Sequence, residues 1–516
     1  MSTVTDTATG GRIGAPVRRS GRGMLGRGVL GSTLVLLGGL VVATLPQSSV
    51  PMGWPLLVAM RDSDVGHLTG LTAVVVGLGL LTTAWLQLCR HVARVGRAAD
   101  ATADARGVAL GLVRHATVLW SLPLLIAPPM FSRDGWSYAA QGMMVHLGVS
   151  PYEHGPAVLS GPIIEAVDPM WITTLTPYGP LPLIFGDVAA SYTGNPWLLV
   201  VAHRLVALLG LVLLAWAVPR MARWSGVDPA LASALALASP LMMTNGVAGL
   251  HNDLLMVGLM AAAVVAAVER GWVYGAILGG LAAAIKAPAG LVCVGVVLAT
   301  LPLAAPMTAR LRRFASVGAV AVATLLGLGV VSGIGSGWIA GLGVPATVNT
   351  VYSITTDVGG ILDWIALHVG LGTPPATFLG LVRHVGTAAA LVIIAITALR
   401  APTGRPERAV VATATAVGAL VLLSPVVHLW YLLWIAPFWC AMRLSSRAFG
   451  GLVAVSVLAG LMSPLESSMA GAYKAIFWVS ILALTIYAVS MLTERSRLRL
   501  RRIEEAHAEE SELVVR

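Results

Sequence analysis

Long apolar runs, separated by short breaks that carry arginine, set the pattern of this chain. The first three runs cover residues 29–47, 70–89 and 108–130. Later ones cover 197–217, 229–247, 251–268, 272–286, 288–304, 314–333, 377–399, 409–426, 428–442, 448–463 and 474–492. Many approach the roughly 20 residues that a helix needs to cross a bilayer. The pattern predicts an all-α polytopic membrane protein with about 13–15 transmembrane helices. It lacks the period-2 alternation of a membrane β-barrel. The run at 178–192 is short and carries Asp187. It is expected to be a half-inserted or interfacial helix, which is tolerated where protein or a watery cavity covers it. The alternative is that one of the short runs, 272–286 or 288–304, is not a full crossing.

The breaks fix an orientation. Arg90, Arg94, Arg97, Arg106, Arg220, Arg223, Arg270, Arg310, Arg312, Arg313, Arg400, Arg405, Arg408, Arg443 and Arg447 fall on alternate breaks, which the positive-inside rule makes cytoplasmic. Two long polar stretches, 131–196 and 334–376, are then outer loops, well beyond ordinary loop length. Residues 1–28, rich in Gly, Thr and Arg, read as a disordered cytoplasmic N-terminus. Residues 29–492 form the transmembrane domain and 493–516 a cytoplasmic C-terminal tail. The run at 29–47 ends without a small-residue cleavage signature and is read as a retained span.

Composition agrees with this. Of 516 residues, 57% are hydrophobic and 11% charged, against roughly 25% charged in soluble proteins. The net charge of +10 is nearly all arginine, since lysine occurs only at Lys286 and Lys474. It lies on short breaks between spans and points to orientation rather than to nucleic acid. Cys89, Cys293 and Cys440 have neither metal-ligand spacing nor a disulfide pattern.

Against this apolar background the polar residues converge on one side. Arg133, Asp134, Gln141, Tyr152, Glu153 and His154 crowd the start of the first outer loop. His251, Asn252 and Asp253 lie between two runs, Lys286 ends a short run, and His428, Trp430, Tyr431 and Trp434 follow Ser424-Pro425. The arginine count places all of them on the outer side, and ionisable groups at such positions mark a functional cavity. Individually each stays open. Asp134 is a general base or a helix cap. His251-Asn252-Asp253 is a substrate clamp or a capping turn. Lys286 is a point charge for a phosphate or a snorkelling side chain. His203 and Arg204 lie inside a run and pair with an acid or contact an anion. The aromatic residues belong to an interfacial belt or stack on a sugar.

Four stretches carry a family resemblance: Arg133-Asp-Gly-Trp-Ser-Tyr-Ala-Ala-Gln-Gly142, Gly148-Val-Ser-Pro-Tyr152, Thr176-Pro-Tyr-Gly-Pro-Leu181 and Gly249-Leu-His-Asn-Asp253. With an aspartate just after an early span and two long outer loops, the chain resembles the GT-C class of membrane glycosyltransferases. More closely, it is similar to the actinobacterial MptB-type α-1,6-mannosyltransferases. The resemblance implies a polyprenyl-phosphate mannose donor and a mannosylated glycolipid acceptor of the lipomannan type. It also implies a multi-pass plasma-membrane location and Asp134 as general base. Transfer from a β-linked donor to an α-linked product is an inversion, so a single base suffices and the phosphate leaving group needs charge stabilisation. Arg204, Lys286 and His251 are the candidates for the donor phosphate. Arg133, Gln141, Tyr152, Glu153, Tyr178, Asn252, Asp253, His428, Trp430 and Tyr431 are candidates for acceptor or sugar contacts. The scheme calls for no metal or cofactor, and membrane lipid is the only further partner. A lipid-linked sugar flippase or transporter, or a non-catalytic cell-envelope assembly subunit, is the alternative function.

Overall fold

The computed structural model describes residues 15–97, 102–343, 348–465 and 498. The expected span at 474–492 lies outside the described residues, as does the C-terminal tail apart from Leu498. Eighteen α-helices follow one another among them: α1 (Ala15–Val42), α2 (Pro55–Arg61), α3 (Asp64–Arg97), α4 (Ala103–Leu125), α5 (Asp134–His146), α6 (Pro180–Ala190), α7 (Pro196–Trp224), α8 (Pro229–Leu237), α9 (Asp253–Arg270), α10 (Trp272–Ala283), α11 (Val292–Thr300), α12 (Met307–Val331), α13 (Trp338–Gly341), α14 (Ile354–His368), α15 (Thr377–Arg400), α16 (Pro406–Leu423), α17 (Ala436–Cys440) and α18 (Ser446–Met462). Helix α1 reaches back into the segment expected to be a lead.

The all-α polytopic membrane architecture holds, and among the described residues the helices long enough to be single spans are fewer than the apolar runs. Seven described helices are long and apolar enough to cross a bilayer: α1 from Gly23, α3, α4, α7, α12, α15 and α16. An eighth is added if α8 and the π-helical turn Met242–Ala248, bent by 58° across the break between them, make one broken span. Two adjacent runs, 272–286 and 288–304, form α10 and α11 instead, neither reaching the length of a full crossing. Between them stands a 3₁₀ turn, Ala287–Leu291, opened by Pro288. The run at 428–442 does not form one long helix. It is a 3₁₀ helix, Leu429–Trp434, followed by the short α17. Hydropathy counts apolar residues, and these are apolar because they are buried within the protein. The run at 178–192 forms the eleven-residue α6, packed against α5 and too short to be a single span.

Local chemistry starts the helices where they start. Asn195 caps α7, accepting from Trp197 N and Leu198 N, with Pro196 in the first helical position. Asp228 and Pro229 do the same for α8. Helix α1 packs on α3 through glycines: a Cβ on Gly31 would lie 2.7 Å from the Gly77 carbonyl oxygen, and one on Gly77 2.6 Å from that of Gly31. Close glycine-mediated approach is how helices associate where no hydrophobic effect acts between them. Helices α12 and α15 expose Val322, Val330, Leu381, Val385, Leu391 and Val392, the surface expected of lipid-facing helices.

Candidate functional site

Asp134 opens α5, where the helix dipole favours a carboxylate. Its backbone N–H donates to Ser132 Oγ at 3.1 Å. One turn on, the Tyr138 hydroxyl donates to Asp134 Oδ2 at 3.3 Å. On the other side His251 Nδ1 lies 3.4 Å from the same oxygen, an ion-pair distance whose angle falls short of an aligned hydrogen bond. Burial pushes the Asp134 carboxyl up. The His251 contact and the charges of His251, His428 and Lys286 outweigh it and hold Asp134 below its ordinary value.

His251 is held by its face. Its ring stacks on Trp430 at 3.9 Å between centroids and 16° between planes, and His428 stacks on the opposite face of Trp430 at 4.2 Å and 8°. The segment that brings in His428 is bound by the second long loop. Ser353 Oγ and Thr355 Oγ1 donate to Ser424 O, Thr356 Oγ1 donates to Pro425 O, and Val427 N donates to Thr350 Oγ1.

Lys286 faces this group. It sits in extended backbone where α10 ends. Gly179 N donates to Ile285 O and Leu181 N to Ala284 O, both at 2.9 Å, so the Tyr-Gly-Pro-Leu turn runs beside the segment that carries the lysine. Nζ is 3.3 Å from Asp253 Oδ1 and lies over the rings of Tyr431, Trp434 and Tyr178 at 4.4, 5.0 and 5.5 Å. Trp434 Nε1 donates to Asp253 Oδ1 at 2.6 Å, while Asp253 Oδ2 is buried without a hydrogen-bond partner among the described residues. Burial works against the Lys286 ammonium. Asp253 and the neighbouring tyrosines and Asp134 reverse that and hold it protonated above its ordinary value. Burial raises Tyr138 and Tyr178, whose hydroxyls meet at 3.0 Å as neutral phenols.

These groups line one cavity with about 630 Å³ of empty space, part of it open to solvent. Asp134, Lys286, Tyr138, Tyr178, Tyr431, His428, Trp430 and Gln141 face it, with Ser137, Trp171, Thr174, Leu175, Pro177, Val348 and Val426 as further lining. Among the described residues no group of three His, Cys, Asp or Glu side chains is placed to hold a metal ion. A carboxylate, a fixed cation and an aromatic wall on one mouth suit transfer of a group from an anionic leaving group to a hydroxyl.

Residues 25–302 match the family described as α-(1→6)-mannopyranosyltransferase, N-terminal domain, and residues 355–494 match the MptB C-terminal domain. The chain belongs to this mannopyranosyltransferase family. It is 32% identical over 430 residues to a probable α-(1→6)-mannopyranosyltransferase of Mycolicibacterium smegmatis, covering 76% of this chain and 74% of that one. It is 31% identical over 472 residues to α-(1→6)-mannopyranosyltransferase A of Mycobacterium tuberculosis, covering 88% and 86%. To α-(1→6)-mannopyranosyltransferase B of Corynebacterium glutamicum it is 30% identical over 439 residues, covering 79% and 71%. No solved structure matches the chain.

In this mannopyranosyltransferase family member the polar residues singled out in the sequence fall into three groups. Asp134, Gln141, Tyr178, Lys286, His428, Trp430 and Tyr431 line the cavity itself. His251 and Asp253 lie directly behind it, each buried against a lining charge. The rest do not face it. Tyr152 supports Tyr178 by donating its hydroxyl to the Tyr178 carbonyl oxygen at 3.1 Å. Glu153 is exposed on a turn whose N–H bonds Ser150 O. Arg133 and Asn252 are half-buried in the turns before α5 and α9, away from the lining. Arg204 corrects its expected place at a phosphate most sharply, because its guanidinium is occupied by backbone carbonyls. Tyr138 was missed, although its position four residues after Asp134 on a helix is a readable signal. Ser137, Trp171 and Thr174 carry no such signal.

Proposed function

We propose that this protein is an inverting α-1,6-mannosyltransferase that uses polyprenyl-phosphate mannose and extends a mannosylated glycolipid of the lipomannan type. The names of its relatives supply the sugar and the linkage. The observation that carries the mechanism is Asp134 on the cavity wall, kept ionised beside His251 and facing a protonated Lys286. In the proposed step the Asp134 carboxylate takes the proton of the acceptor 6-hydroxyl. That oxygen forms the new bond to the mannose anomeric carbon. The anomeric carbon–phosphate oxygen bond breaks, and its electron pair leaves with the phosphate. The departing anion lies against Lys286, which gives charge stabilisation in place of a second acid.

The site is assigned to the outer face of the plasma membrane, with both termini cytoplasmic, because Arg90, Arg94 and Arg97 at the end of α3 and Arg220 and Arg223 at the end of α7 fall opposite it. The described helices support the same arrangement: α3 ends in Arg94 and Arg97, away from the end of α4 that leads to Asp134. The test is transfer of radiolabelled mannose from polyprenyl-phosphate mannose in membranes carrying Asp134→Asn. Loss of transfer with normal protein amount supports the assignment, and retained transfer removes Asp134 from the role of base.

A further inference from the structure

Arg204 lies within α7 and is 1% exposed. Among the described residues no acid lies within ion-pair reach of it, so its charge is satisfied by dipoles alone. Nη1 donates to Leu125 O at 2.8 Å and to Ala127 O at 2.5 Å. Nη2 lies 3.3 Å from Pro128 O and 3.4 Å from Ala248 O. The first carbonyl closes α4 and the next two belong to the strip that joins it to Asp134. The fourth ends the π-helical turn that leads to His251. A backbone hydrogen bond, Met130 N to Ala248 O at 3.0 Å, joins the same two strips.

Each strip then passes through a left-handed backbone conformation at a residue with a side chain. Phe131, three residues before Asp134, has φ +67°, and Leu250, the residue before His251, has φ +55°. Bulky residues rarely adopt that region, and they hold it only where the surroundings over-determine it. Of the four such non-glycine residues among those described, these two lie three residues past Pro128 and two past Ala248, whose carbonyls the guanidinium holds, and each is just ahead of a site residue. A buried cation kept without a counter-ion is equally unusual in a membrane helix. The planar fork of arginine presents two donor arms at a fixed spread, so it can hold two backbone strips at a set separation. A lysine ammonium is a single point and cannot.

We infer that Arg204 is a positioning residue: it staples the strip before Asp134 to the strip before His251 and thereby sets the contact between those two side chains. The inference rests on the reading of Asp134 as the base. It replaces the phosphate-binding role that the sequence suggested.

The test compares purified wild type with Arg204→Lys, measuring kcat and KM for polyprenyl-phosphate mannose and for the glycolipid acceptor. Misplacement of a base costs turnover rather than binding, so kcat should fall about tenfold or more while both KM values stay within about twofold. In a His251→Asn background the same substitution should cost little more, because the contact it sets is already gone. A raised donor KM with kcat preserved would return Arg204 to the phosphate. Losses that simply multiply in the double variant would reduce it to general structural support.

Should Arg204→Lys not fold, hydrogen exchange on the wild type decides. Peptides covering 126–134 and 246–253 should open together, and independent opening overturns the staple. An active Asp134→Asn overturns the base assignment alone, since linked exchange of the two strips does not depend on it.

Discussion

His251 lies in ion-pair contact with Asp134, and it is held there by a ring stacked flat against it. The 3.4 Å contact between His251 Nδ1 and Asp134 Oδ2 lowers the carboxyl, while the 3.9 Å stack on Trp430 fixes the imidazole plane. Asp134 also faces Tyr138 from its own helix, His428 from the 424–434 segment and Lys286 from the end of α10. Because its folded value is lowered, the carboxylate form persists as pH falls, and activity should hold through the ordinary carboxylate pKa, about 3.9. Replacing His251 by Asn removes the main lowering influence and leaves burial, which raises. The acid limb of the pH–rate profile should then move to higher pH. An acid limb unchanged in His251→Asn would remove the histidine from this role.

The Lys286–Asp253 pair should behave as a unit in stability. Removing one partner leaves the other buried and charged, at a cost of about 3–5 kcal/mol. Lys286→Met and Asp253→Leu should each lower the unfolding temperature in detergent sharply. The double variant should be closer to wild type than either single one. Additive losses would show that the two charges are not mutually compensating.

Tyr138 offers a graded test. Tyr138→Phe keeps the ring against Tyr178 but removes the hydroxyl that joins Asp134 to Tyr178. Loss of a net hydrogen-bond contribution of about 0.5–1.5 kcal/mol predicts a severalfold fall in transfer rate rather than abolition. Steady-state rates in membranes check this, with complete loss or no change as the contrary results.

Glu153 sits near Asp134 in sequence but is exposed on a separate turn. Glu153→Gln should leave both transfer and unfolding temperature unchanged within about twofold in rate, as surface substitutions usually do. A large loss of transfer would place Glu153 at an acceptor surface that the cavity does not include.

Much of the site was legible in the sequence because polar residues in an apolar chain are costly and few. Asp134, Lys286, His428, Trp430 and Tyr431 stand out for that reason, and all five line the cavity. What the sequence hides is which polar atom meets which. Arg204 looks like an anion ligand in a helix, yet backbone carbonyls from two strips take both of its Nη groups. Which apolar runs become single long helices is hidden for a related reason. The run at 428–442 is apolar because it is buried in protein, and it folds as 3₁₀ turns that present rings to the cavity. Hydropathy measures exclusion from water and does not say whether lipid or protein does the excluding.

The pairing of Lys286 with Asp253 has a bearing on how the site meets a membrane full of phosphates. Two opposite charges 3.3 Å apart cancel beyond their immediate neighbourhood. Such a site exerts little pull at a distance, so ordinary anionic headgroups are not drawn into it. On the proposed function, the donor phosphate would arrive by fit and then compete with a carboxylate for the ammonium. Recognition at this mouth is therefore a matter of exchange at contact range, and donor binding should change little with ionic strength.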